Sequence, residues 1–80
     1  MKAIIPDFDL KSTRPIYLQL YDYIKSDILT GNMLCGERLP SLRSLAESLG
    51  ISITTVSQSY NQLAVEGYIE PRPHSSIRVS

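Results

Sequence analysis

Apolar residues recur every three or four positions along most of this chain, and the breaks in that rhythm divide it into elements. Tyr17, Leu20, Tyr21, Ile24 and Ile28 share one helical face. Pro15 suits the opening turn, where its missing N–H costs nothing, and Gly31-Asn32 ends the pattern. The spacing predicts a first helix over residues 15–30. Leu42, Leu45, Ala46 and Leu49 repeat the period, with Ser41 as amino-terminal cap and Gly50 as stop. Ser52 caps the next helix, whose inner face is Val56, Tyr60 and Leu63 with Ala64, and Gly67 closes it. After Gly67 the period shortens to two. Tyr68-Ile69-Glu70 and Ile77-Arg78-Val79 read as paired strands joined by Pro71 to Ser76.

Two strands alone are marginal in water. Gly36 to Pro40, read as a loop with a minimal strand at Leu39, offers the support they need. Residues 1–12 show no period and read as an extended arm, which leaves 13–80 as a single domain. The expected fold is mainly α with a small β-hairpin: a winged helix-turn-helix, with small Ala46 where two helices must approach closely. Modules of this shape commonly read duplex DNA.

Composition narrows the picture and complicates it. Eighty residues with 42% hydrophobic content make one small globular domain rather than a disordered segment. Eight basic residues balance eight acidic ones. A DNA-binding protein draws much of its affinity from neutralising phosphates. A neutral chain therefore admits a second reading, a winged-helix module that docks on another protein without reading DNA. The single cysteine, Cys35, has no internal partner for a disulfide and fits a reducing compartment. No apolar run approaches the roughly 20 residues needed to span a bilayer, and the first residues are too short an apolar stretch for a signal peptide. The expected location is the cytoplasm, with no membrane partner.

Catalysis finds no support in the residues. Asp22 and Asp27 fall on different helical faces, and Asp7 and Asp9 lie in the arm. One cysteine and one histidine, Cys35 and His74, make no metal site, and no glycine-rich phosphate loop is present. The chain is read as a non-enzyme that holds no cofactor of its own. Tyr17, Tyr21 and Tyr60 lie on apolar faces and are assigned to the core; Tyr23 lies off its stripe and is assigned to a surface or a partner interface.

Several blocks together carry a resemblance. They are Pro15-Ile16-Tyr17-Leu18-Gln19-Leu20-Tyr21, Gly36-Glu37-Arg38-Leu39-Pro40-Ser41, Leu45-Ala46-x-x-Leu49-Gly50-Ile51-Ser52, Thr54-Thr55-Val56, Tyr60-x-x-Leu63 and Glu66-Gly67-Tyr68-Ile69. In this order and spacing they resemble the amino-terminal domain of the GntR family of bacterial transcription regulators. The first block and the Tyr68–Pro73 end look most like its MocR and YtrA branches. The resemblance implies operator binding to double-stranded DNA and a homodimer in the intact protein. If the chain is MocR-like, it also implies pyridoxal phosphate in a separate carboxy-terminal domain.

The same resemblance assigns DNA contact to the starts of the second and third helices and to the wing tip. Carried over by motif, these are Ser41 and Arg43; then Ser52, Ile53, Thr54, Thr55, Ser57 and Gln58; then Arg72, Pro73, His74, Ser75 and Ser76. Each has a physical case. Arg43 can take a phosphate or both acceptors of a guanine, unless Glu47 one turn on pairs with it. The hydroxyls and Gln58 can bond base edges, and Ile53 can meet a thymine methyl. The family commonly has arginine at Ile53 and often a basic residue at Ser57, so this third helix is unusual in carrying no charge over Ser52–Ser59. Electrostatic attraction is expected from the wing, where Arg72, His74 and Arg78 follow Glu70 without another acid.

Overall fold

The computed structural model describes residues 8–70 and 77–80. Helix α1 spans Ile16–Leu29, α2 Leu42–Leu49 and α3 Ile53–Val65; strands β1 and β2 are Ile69–Glu70 and Arg78–Val79. Pro15 stands just before α1, in extended backbone, and its carbonyl accepts the amides of Leu18 and Gln19. Its fixed φ starts the helix without loss of a ladder bond. The two serine caps form as their positions imply. Ser41 Oγ accepts the Ser44 N–H at 3.1 Å, and Ser52 Oγ accepts the Thr55 N–H at 3.1 Å. Gly50 ends α2 at φ 70°, a left-handed backbone that side chains with a Cβ resist.

Helix α3 packs on α1 and on α2, and the core lies where they meet. Leu20, Ile24, Val56 and Leu63 are wholly inaccessible, and Leu45, Ala46, Tyr60, Leu39, Met33, Ile69 and Val79 close around them. Truncating Leu63 to alanine in such a site costs about 2–5 kcal/mol. The strands pair antiparallel, Ile69 opposite Val79 and Glu70 opposite Arg78. Ile69 and Val79 face inward as the alternation requires.

The minimal strand before α2 is present as one bridge, Arg38 opposite Arg78. Three further backbone bonds hold it: Leu39 N–H to Ile77 O at 2.7 Å, Val79 N–H to Glu37 O at 3.0 Å, and Gly36 N–H to Val79 O at 2.8 Å. The loop that leads into α2 is thus bonded to the edge of the two-stranded sheet at the base of the wing.

Two expectations change, and one buried residue had not been anticipated. Of the arm, residues 1–7 lie outside the described residues, and residues 8–12 are not extended. Phe8 packs on the core, Ser12 N–H bonds Asp9 O, and the Gln19 side chain clasps both the N–H and the carbonyl of Asp9. Tyr23 is half-buried against the core instead of lying on the surface. Asp27 is buried near the end of α1, where one carboxylate oxygen accepts from Asn32 Nδ2 at 3.3 Å. Apolar periodicity marks faces only by hydrophobic residues, so it could not have placed an aspartate inside.

Candidate nucleic-acid interface

The outer face of α3 follows from what its inner face buries. Val56, Ser59, Tyr60 and Leu63 turn to the core, which leaves Ile53, Thr54, Gln58 and Asn61 exposed. Ile53 is 46% exposed and sets one aliphatic side chain on this face. Ser57 is half-buried at the edge of this face. Thr55 is placed differently from the rest: it is half-buried, and its hydroxyl lies 2.8 Å from Ser52 Oγ. Ser52 and Thr55 therefore form the helix cap, and Thr54, Ser57 and Gln58 present the polar groups. Asn61 was not among the expected contacts. It lies seven residues after Thr54, two helical turns along the same face, and could have been found from that spacing alone.

The start of α2 supplies the charge that α3 lacks. Ser41, Arg43 and Ser44 are all exposed there. Among the described residues Arg43 has no hydrogen bond and no ion pair, with Glu47 or any other acid. The first turn of a helix also directs amide groups outward and carries a partial positive charge. Tyr60 fixes this region to α3 by donating its hydroxyl to Pro40 O at 2.9 Å, and burial pushes the phenol's pKa well above its ordinary value.

At the wing, Arg78 is half-buried and donates through Nη1 to Gly36 O at 3.0 Å, so it is tied to the base of the sheet. Arg72, Pro73, His74, Ser75 and Ser76 lie outside the described residues.

A second polar cluster sits at the far end of α3. The Tyr21 hydroxyl donates to Glu66 Oε1, Gln62 Nε2 donates to Glu66 Oε2 at 2.7 Å, and Lys25 Nζ reaches the Tyr21 hydroxyl at 3.3 Å. Lys25 also lies 5.5 Å from the ring centres of Tyr21 and Tyr68. The donated bond from Tyr21, then that from Gln62, lowers the Glu66 pKa, while the Tyr21 phenol is raised chiefly by its bond to Glu66. This cluster fastens the carboxy-terminal end of α3 to α1 and is remote in sequence from the exposed Ile53–Gln58 stretch.

Among the described residues no group of three histidine, cysteine or acidic side chains could hold a metal, and no helix is long and apolar enough to cross a membrane.

Known proteins share both the sequence and the fold. Residues 16–79 match the model of the bacterial regulatory proteins of the gntR family. The regulator YdeL of Bacillus subtilis is 51% identical over 61 residues, 76% of this chain and 13% of its own length. The chain thus spans a small part of that relative. The solved structure of YtrA from Sulfolobus acidocaldarius, a GntR-family transcription factor, superposes with a TM-score of 0.86 at 40% identity, covering 98% of this chain and 82% of that one. The AraR DBD in complex with operator ORE1 shares the fold, with a TM-score of 0.79 at 21% identity over 95% of this chain and 93% of that one. With a family match over most of its length and an outer α3 face shaped as described, this chain belongs to the GntR family of bacterial regulatory proteins.

Proposed function

We propose that this chain is the double-stranded DNA-binding domain of a bacterial transcription regulator, with α3 laid in the major groove. The carrying observation is the exposed face of α3, which offers donors, acceptors and one aliphatic side chain and no charge, beside an uncommitted Arg43. Gln58 suits the paired groups of adenine, the Thr54 and Ser57 hydroxyls suit base edges or phosphates, and Ile53 suits a thymine methyl. Arg43 and the amino end of α2 take the flanking backbone. The wing segment Arg72–Ser76 lies along the neighbouring groove.

Support comes from the family match and from the fold shared with the AraR DBD, which was solved in complex with operator ORE1. Two copies, paired as a homodimer in the intact protein, would read half-sites about one helical turn apart. Pyridoxal phosphate, if the intact protein is of MocR type, belongs to a domain outside these residues.

An amide chemical-shift titration of the labelled chain with a mixed-sequence duplex at low salt tests this. Salt-reversible shifts at Ser41–Arg43, Ser52–Gln58 and Arg72–Ser76 are expected. Absence of shifts at low salt would sink the reading and leave a winged-helix module that docks on a protein.

A further inference from the structure

From the way this chain spends its cations, we infer that Arg38 grips a DNA backbone phosphate, in the cleft it forms with Ser41 and Ser44; the inference rests on the function proposed above. The chain is neutral overall, and three of its six described cations are committed, while Lys11 lies apart in the segment before α1. Arg14 holds Asp22 through Nε at 2.8 Å and Nη2 at 3.1 Å. Lys25 is engaged by Tyr21 and Tyr68, and Arg78 by Gly36 O. Arg38 and Arg43 are exposed, and neither has a hydrogen bond or ion pair among the described residues.

The placement of Arg38 is not that of a surface charge serving stability. It stands opposite Arg78 in the sheet, so two arginine side chains share one face, an unfavourable pairing. Its neighbour Glu37 points to the other side, where Oε1 accepts the Leu34 N–H at 3.2 Å. Glu70 is the next residue across the same row, but Arg78 stands between.

The backbone under Arg38 is held from both sides. The bridge to Arg78 and the Leu39–Ile77 bond fix it to the wing; buried Leu39 and the Tyr60–Pro40 bond fix it to the core. A cleft lined by Arg38, Leu39, Pro40, Ser41 and Ser44 opens beside it. A rigidly carried, uncompensated guanidinium next to two hydroxyls is suited to a phosphate, whose oxygens take paired N–H groups. In this arrangement Arg38 joins Arg43 as a clamp between the wing and α2. It provides attraction that the uncharged α3 does not.

The test is a fluorescence anisotropy titration of a labelled mixed-sequence duplex over a range of salt, with the wild-type chain, Arg38→Ala, Arg38→Lys and Arg43→Ala. Arg38→Ala should weaken binding about three- to tenfold at low salt and reduce the slope of log K against log salt by about one. The loss should be the same on an unrelated duplex, because a phosphate contact carries no sequence information. Arg38→Lys should recover most of the slope, and the melting temperature should stay unchanged. Wild-type affinity and slope in Arg38→Ala, with Arg43→Ala impaired, would overturn the inference and leave the functional reading standing. A loss confined to one sequence would also overturn it, in favour of base contact. No binding by the wild-type chain would remove both.

Discussion

The Ser59 hydroxyl, wholly inaccessible to water, donates to the Tyr17 carbonyl oxygen at 2.6 Å and so ties α3 to the first turn of α1. The same oxygen lies 3.3 Å from Thr55 O, within its own helix. A hydroxyl in a dry site is worth most when its bond is made. Ser59→Ala removes that bond and should cost about 0.5–1.5 kcal/mol in urea unfolding. Ser59→Leu should cost more, because added methylenes have no space there. DNA affinity of the folded fraction should follow the tilt of α3, so Ser59→Ala should bind nearly as wild type.

Gly50 turns the chain between α2 and α3 at φ 70° with nothing within 4 Å of where a Cβ would stand. The cost of a side chain there is conformational, not steric crowding by neighbours. Gly50→Ala should lower stability by about 1–2 kcal/mol, measured by thermal unfolding. Gly50→Asn should cost less, since asparagine tolerates this region.

Glu66 gives the fold a pH dependence whose sign is determined by its partners. Its folded pKa is lowered below the ordinary 4.5, first by the bond from Tyr21 and then by that from Gln62. A depressed carboxylate contributes stability that is present above the unfolded pKa and lost as pH falls through the folded one. Urea midpoints of wild type and Glu66→Gln should therefore differ most near neutral pH. The gap should narrow as pH drops below 4.5. A gap that stayed constant to low pH would show that the charge of Glu66 is not what Tyr21 and Gln62 recognise.

Ile53 occupies the exposed first turn of α3. Ile53→Arg should tighten binding to mixed-sequence duplex at low salt and steepen the salt slope by about one, as each new phosphate contact releases counterions. Stability should move by no more than about 0.5 kcal/mol, because the site is on the surface. Unchanged affinity would mean that this turn of α3 does not approach the phosphates.

The elements were legible because each rests on short-range chemistry. Ser41 and Ser52 cap the amides three residues on, Gly50 takes a backbone few other residues accept, and Val56, Tyr60 and Leu63 repeat with the helix. What stayed hidden depends on distant partners. Nothing near Gln19 in sequence signals that its amide would clasp Asp9, nor does any period reveal that Ser59 meets Tyr17. The site shows the same division. Helical spacing separates Thr54 and Gln58 from the core, whereas the isolation of Arg38 and Arg43 depends on where Glu37 and Glu47 ended up. Thr55 was assigned to the interface by the family motif; its hydroxyl lies 2.8 Å from Ser52 Oγ, a contact that the motif does not signal.

The uncharged outer face of α3 also bears on how such a protein finds its target. Loose attachment to arbitrary DNA is almost wholly electrostatic, and a genome offers about a million or more competing sites. A reading helix that adds no charge leaves that background attachment to a few arginines elsewhere, while its hydroxyl, amide and methyl groups act only against a matching groove. Such a domain spends less time held on the wrong DNA. On the function proposed above, selectivity would rest on weak background binding as much as on strong contacts at the right sequence.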